Sequence, residues 1–494
     1  MAATPRREKV SAVDTAWLRM DRPHNLMVIT GVLMFRERLA LARLKRLVDD
    51  RFLVFRRFRQ RPVEIAGLSF WESDRGFDLD RHVVHLGLPA PAGRHELQTL
   101  VSELATTPLD AGHPRWQFAL VDPYEGGSAV VARIHHCYAD GIALVRVMLS
   151  MTDASAHGPP AMPFEPPARK AEPAADDPFA QLLQPFSGVL DTARRIGGTL
   201  VGKGVELWTD PSKAVALASQ GGALTAEIAK LTLMEQDSPT RFKGKPDAAK
   251  RVAWADPLPL DEVKTIGRAL GASVNDVLLS CVAGALAGYL RAQGDATEGV
   301  AIRALVPVNL RPMEKAYKLG NQFGLVFLDL PIGIENPVAR LYAVRDNMSA
   351  LKGSFQPVLA LGILAAMGVG PKMLQETLLA ILARNATAVM TNVPGPQQPL
   401  WFAGARLDSL MFWVPQSGDI GIGVSILSYD GKVQFGLIAD RKLCPEPEAV
   451  IERFGAEFET LVLTALMCPW DAGGDLDPER VARAVGAAEP SPAP

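Results

Sequence analysis

The segment from 153 to 178 divides the chain. It carries the run GPPAMPFEPPARKAEPAADDP, so rich in Pro, Ala and Gly that neither a helix interior nor a central strand suits it. Proline lacks a backbone N–H, and its ring clashes with the preceding helical turn. Such a composition predicts an exposed, semi-extended linker. On both sides of it, strand and helix patterns alternate in similar number. A chain of 494 residues, 48% of them hydrophobic, has enough apolar material for two such halves. The expected organisation is therefore an N-terminal lobe over 1–152 and a linker with amphipathic crossover helices over 153–250. A C-terminal lobe follows over 251–472, then a disordered tail over 473–494, where small, polar and Pro residues prevail.

In the first half, Asp14 marks a helix start and MVITGVLMF reads as a strand. Residues 39–59 have helical apolar spacing with an arginine-rich opposite face, and residues 77–84 predict a short strand. A helix is expected over 94–107. The strands WQFALV and SAVVARI follow, joined by a turn at Tyr124-Glu125-Gly126-Gly127, and then a helix over 142–152. In the second half, a strand and a helix from Arg251 lead to a long apolar helix from about Val274. Strands are expected at 300–310 and 323–332, a helix at 336–352, a helical hairpin at 357–385 and a strand at 388–392. A hairpin around Asp430-Gly431 and a last helix over 446–467 complete the pattern.

The balance of 52 basic against 54 acidic residues leaves a net charge of −2, which argues against nucleic acid as a partner. The four cysteines, Cys137, Cys281, Cys444 and Cys468, form no C-x-x-C pair, so neither a zinc site nor a disulfide framework is expected. The most apolar window, VLALGILAAMGVG from Val358, falls short of the roughly 18–20 residues that span a bilayer.

The chemistry concentrates where SAVVARI runs into His135-His136-Cys137-Tyr138-Ala139-Asp140-Gly141. A strand delivers two adjacent histidines to a turn that opens a helix. A neutral imidazole at a strand end is a general-base candidate, because its ordinary pKa of about 6.5 leaves it able to accept a proton near neutrality. Asp140 can act on that histidine or fix the turn, and Gly141 is expected to let the chain turn where a side chain would obstruct. A structural His-His pair fits the same spacing. A Cys137 nucleophile is disfavoured, because adjacent residues at a strand end point opposite ways. No G-x-S-x-G elbow, phosphate loop or dinucleotide fingerprint occurs, and a metal site at His135, His136 and Asp140 lacks further ligands.

HHCYADG resembles the HHxxxDG signature of CoA-dependent acyltransferases, and other stretches narrow the resemblance to the bacterial wax ester synthase/diacylglycerol acyltransferase family. These are Pro108 to Trp116, with Arg115 where the family's Pro-Leu-Trp has Leu; Asn275-Asp276; Val306 to Arg311; Gly320-Asn321; and Thr391 to Pro396. They occur in the family's order, and SAVDTAWLRMD resembles its first helix. The resemblance implies a mixed α/β, two-lobed, chloramphenicol-acetyltransferase-like fold with a long crossover and a tunnel between the lobes. It implies acyl transfer from a fatty acyl-CoA to a long-chain alcohol or diacylglycerol, with acyl-CoA as co-substrate and no cofactor or metal. His136 would be the base, His135 its support, and Asp140 and Gly141 would form the turn. Arg311 would pair with Asp140, and Trp116, Asn275, Asp276 and Asn392 would meet substrate, with Asn275 or Asn392 facing the oxyanion. Residence in the cytoplasm, held peripherally at the inner face of a membrane or at lipid inclusions, is expected, with 43–59, 179–236 or 357–385 as contact segments. Two alternatives stay open: an enzyme using a carrier-protein thioester, and a lipid-binding protein of the same fold without activity.

Overall fold

The computed structural model describes residues 7–156, 158–161, 234–309, 321, 323–351, 356, 360, 375–376 and 384–467. The Pro-rich segment beyond residue 161, the helices expected in 179–233, most of the hairpin at 357–385 and the tail lie outside the described residues.

Two sheets carry the fold. The first has five strands in the order Ser409–Trp413, Val28–Phe35, Gly127–His135, Trp116–Tyr124 and Val83–Leu86, antiparallel except for the last pair. All nine residues of Gly127–His135 are buried, as expected of a central strand whose apolar run is continuous rather than alternating. The second sheet runs Leu258–Pro259, Lys432–Asp440, Ile422–Tyr429, Ala388–Pro394, Ile302–Asn309 and Phe323–Leu330, with Lys250–Trp254 also pairing with Lys432–Asp440. The tight hairpin at Asp430-Gly431 has positive φ at both residues, as does Glu125-Gly126 in the first sheet. A two-residue turn matched to the twist of its strands requires that conformation, and glycine adopts it without steric cost.

Helices Leu260–Ala269, Val274–Ala292, Pro337–Leu351 and Pro447–Met467 pack with the second sheet into one apolar core. A second core spans the halves and joins Trp17, Phe118, Ile134 and Leu144 to Leu305, Phe323 and Val389. The lobes also exchange strands. Ser409–Trp413, from the C-terminal half, covers the exposed edge of Val28–Phe35, and Trp401–Phe402 pairs with Thr152–Asp153. Covering an open edge removes a template for unwanted pairing. It also makes the N-terminal lobe dependent on chain from beyond the linker.

Two expected elements differ. The single helix over 39–59 is instead an α-helix, Leu41–Leu47, a π-turn, Val48–Phe52, and a 3₁₀ turn, Arg56–Arg59. Phe52, Phe55 and Phe58 all turn into the core, with Phe52 stacked on Phe58 at 3.8 Å. Phe52 ends the π-turn, Phe55 is extended and Phe58 lies in the 3₁₀ turn, so three different backbone conformations bring the rings inward. Three of its arginines are engaged within the fold: Arg51 with Asp153, Arg57 with Glu8 and over the Trp71 ring, and Arg59 with Asp49. The strand expected over 77–84 is a short helix, Leu79–His82, before the strand Val83–Leu86. Asp78 caps that helix by accepting the Asp80 N–H at 3.0 Å.

Candidate active site

The strand pair Val28–Phe35 and Gly127–His135 sets the position of the histidines. His135 is the last residue of its strand, opposite Val28, and the His136 N–H donates to the Met27 carbonyl at 2.7 Å. The two rings then diverge. His136 lines a cavity of about 540 Å³ between the two sheets, a size that falls in the roughly 300–1,000 Å³ range of small-ligand sites. The walls are mainly apolar, including Leu305, Leu325, Val326, Met348 and Phe412. His136 is 4% exposed and stacked against Trp17 at 4.1 Å. Burial in apolar surroundings disfavours its charged form and pushes its pKa down to about 3. The imidazole is therefore neutral at physiological pH, the state a base requires.

His135 does not line the cavity. Its Nδ1 accepts the Cys137 N–H at 3.1 Å, so the ring proton sits on Nε2, 3.5 Å from the Asp21 carboxylate. Burial also lowers the pKa of His135. Burial alone would raise the Asp21 carboxyl, but the proton and charge of His135, the Met27 N–H and the Arg115 guanidinium outweigh it and hold the group below its usual range. Arg115 lies 3.6 Å from Asp21. The departure from the family's Pro-Leu-Trp thus falls behind the histidine pair, away from the cavity lining.

Asp140 is the N-cap of the helix Gly141–Ser150, and its Oδ1 accepts the Ala143 N–H at 2.9 Å. Arg311 lies outside the described residues, so the expected pairing of Asp140 with it does too. Gly141 requires a different reason from the one expected. Its φ is not in the left-handed region, and a Cβ built on it meets nothing within 4 Å among the described residues. Gly141 lines the cavity, so what its missing side chain leaves open is space beside His136.

Asn275 and Asn392 meet across the cavity wall, with Asn392 Nδ2 donating to Asn275 Oδ1 at 2.6 Å. That contact leaves the Asn275 amide hydrogens without a partner among the described residues. Asp276 belongs to the cap of Val274–Ala292. Its Oδ2 accepts from the Ser273 N–H at 2.9 Å and from the Ser273 hydroxyl at 2.7 Å. This reciprocal capping box fixes the helix end that presents Asn275. Trp116 was expected along an acyl channel. It is instead 1% exposed and packed among Phe52, His82 and Phe118, and its indole N–H donates to the Phe58 carbonyl at 2.8 Å. Among the described tryptophans, Trp17 faces the cavity. Cys137 is fully buried with its thiol pKa pushed well up, which disqualifies it as a thiolate nucleophile.

Three other site residues had no assigned role. Trp17 lies in the quoted first-helix stretch, and its spacing of three from the helix-start Asp14 was the available signal. Phe323 forms part of the wall beside His136, at 5.6 Å. Asn321 donates to both the His136 carbonyl and Asp14, a contact made across 185 residues of chain.

Residues 10–278 match the wax ester synthase/diacylglycerol acyltransferase catalytic domain, and residues 319–462 match the C-terminal domain of the same family. The chain belongs to this family. A Mycobacterium bovis protein assigned as a diacylglycerol O-acyltransferase is 30% identical over 424 residues, covering 83% of this chain and 80% of that protein. A Mycobacterium tuberculosis protein assigned the same activity is 28% identical, covering 78% and 79%. The wax ester synthase/diacylglycerol acyltransferase of Marinobacter aquaeolei superposes with a TM-score of 0.65 at 20% identity, over 93% of this chain and all of that one. The first condensation domain of the calcium-dependent antibiotic synthetase superposes at 0.54 and 15% identity, over 94% of this chain and 97% of that one. Both superpositions establish the two-lobed fold. As a member of the wax ester synthase/diacylglycerol acyltransferase family, the chain is an O-acyltransferase, and a fatty acyl-CoA and a long-chain alcohol or diacylglycerol are its substrate classes.

Proposed function

We propose that His136 is the general base of this acyl transfer and that the cavity between the sheets brings both substrates to it. The observation that carries this reading is a buried, neutral imidazole on an apolar cavity whose lining also holds an asparagine pair. Nε2 of His136 takes the proton of the acceptor hydroxyl as the oxygen bonds to the thioester carbonyl carbon. A tetrahedral oxyanion forms, and an Asn275 amide hydrogen donates to it. Collapse breaks the C–S bond, and the leaving CoA thiolate takes the proton back from the imidazolium. The products are an ester and free CoA, with no acyl group passed to the protein. Holding both substrates in one cavity supplies much of the acceleration.

The test is CoA release from purified acyl-CoA with hexadecanol and diacylglycerol competing and no carrier protein present. Ester formation under these conditions supports the reading. Transfer only from an acyl group carried on a carrier protein would favour the condensation-type alternative, and lipid binding without thioester cleavage would favour a non-catalytic role.

Peripheral contact with a lipid surface belongs to the same proposal. Among the described residues no single helix is long and apolar enough to cross a membrane. The one pair that passes by composition, Leu260–Ala269 with Val274–Ala292, is bent by 96°. Greasy substrates favour supply from a lipid surface, and Leu463, Leu466 and Met467 are exposed at the end of the last helix. Liposome co-sedimentation unchanged by Leu466→Glu with Met467→Glu would exclude that patch.

A further inference from the structure

Outside the cavity lining, bonded to the carbonyl of His136, sits a buried polar group with no part in the steps above. Asn321 is 5% exposed and Asp14 is 7% exposed. The Asn321 amide nitrogen donates to Asp14 Oδ1 at 2.7 Å and to the His136 carbonyl oxygen at 2.8 Å, and the Asn321 backbone N–H donates to the same Asp14 oxygen at 3.2 Å. Both acceptors are oxygens, so both amide hydrogens are committed. Turning the amide over would set oxygen against oxygen, and the orientation is therefore fixed. Two polar atoms remain buried without a hydrogen-bond partner among the described residues: Oδ1 of Asn321 and Nδ1 of His136. Buried polar atoms are ordinarily satisfied. Burial dominates and opposes a proton on this ring; the carbonyl of His136 itself and, to a smaller extent, the Asn321 side chain favour one. Trp17, three residues after Asp14 on the same helix, stacks on the ring and limits its rotation.

We propose that Asn321 is the positioning residue of the catalytic base: its fixed amide keeps Oδ1, unbonded among the described residues, as the acceptor for the equally unbonded His136 Nδ1–H, and a proton held there leaves Nε2 unprotonated toward the cavity. The alternative tautomer, with the proton on Nε2, has no lone pair to offer an acceptor hydroxyl. Asp14 acts one step further back by locking the Asn321 amide. Asn321 comes from beyond the crossover, so the reactive tautomer requires both halves of the chain to be assembled. This proposal rests on the reading of His136 as the base.

The experiment is ¹⁵N NMR of the full chain labelled at histidine, with the His136 signals assigned by their loss in His136→Phe, together with steady-state kinetics of Asn321→Ala. The wild type is expected to show a pyrrole-type Nδ1 and a pyridine-type Nε2 at His136. Asn321→Ala is expected to mix the tautomers. Its kcat should fall by roughly 10²-fold, within the ~10²–10⁴ that a positioned base supplies. The KM for acyl-CoA should change by less than about threefold, because the interaction serves the chemical step. A wild-type His136 protonated on Nε2 overturns the proposal whatever the variant does, including the case in which Asn321→Ala does not fold. Asn321→Ala with an unchanged tautomer and kcat also overturns it, since the histidine's own carbonyl would then suffice. Failure of the underlying reading looks different: His136→Ala would keep its turnover while the wild-type tautomer stayed as stated.

Discussion

Replacing Gly141 by alanine separates two explanations of a glycine beside a catalytic histidine. If the turn needed glycine, alanine would strain the backbone, and stability and activity would fall together. Gly141 has no left-handed φ, and its added Cβ would touch nothing within 4 Å among the described residues. It stands at the first position of the helix Gly141–Ser150, where alanine is the better helix former by up to about 1 kcal/mol. The predicted stability change of Gly141→Ala is therefore between zero and a gain of ~1 kcal/mol, read by urea denaturation. The methyl group projects into the cavity that His136 lines. One methylene in a substrate pocket is worth about 1–3 kcal/mol of discrimination, or roughly 10–200-fold in kcat/KM. Activity should fall into that range, and Gly141→Val should fall further without unfolding. A Gly141→Ala protein that loses stability, or keeps full kcat/KM with long-chain substrates, would refute the assignment of this glycine to substrate space.

Three other outcomes are expected. Asn275→Ala should lower kcat by ~10²–10³-fold, the usual cost of an oxyanion donor, and Asn392→Ala should lower it less, because Asn392 only holds Asn275 through its 2.6 Å bond; equal and small effects in steady-state assays would move the oxyanion site elsewhere. Trp116→Ala should cost roughly 3–5 kcal/mol in denaturation and leave acyl-chain preference unchanged; a changed preference would return Trp116 to the channel. Acid should destabilise the fold through the buried histidines. The pKa of His136 falls from about 6.5 when unfolded to about 3 when folded, so its contribution is complete above pH 6.5 and is lost as the pH drops toward 3. Within that window each such imidazole contributes a slope of up to ~1.4 kcal/mol per pH unit, and His136→Phe should flatten the denaturation-versus-pH curve accordingly; an unchanged slope would contradict the burial of a neutral ring.

Much of the fold was legible because its signals are local. Continuous apolar runs with turn residues between them located the strands Gly127–His135, Ile302–Asn309 and Phe323–Leu330 to within a residue or two. The arginine-rich segment at 39–59 misled because its backbone passes from α-helix through a π-turn to a 3₁₀ turn, a change that apolar periodicity does not register. The strand exchange through Ser409–Trp413 was not legible, since pairing across the halves leaves no mark in either segment alone. Among the candidate site residues, His136, Asn275 and Asn392 all meet at the cavity, where ordered motifs had brought them together. Trp116 was drawn to the cavity by its place in a motif, yet its indole faces the aromatic core. Asn321 and Asp14 carried no local signal of their partnership, which exists only after 307 residues of separation close into one contact.

The central claim is that His136 moves the proton. Its most direct test is the acyl-transfer rate of His136→Ala beside that of His135→Ala, each shown to be folded and to bind acyl-CoA. The His136 variant should lose ~10²–10⁴ in turnover, the range a general base supplies, and His135→Ala should lose less, through disorder of the turn held by Asp21 and Cys137. Near-normal turnover by His136→Ala would contradict the account.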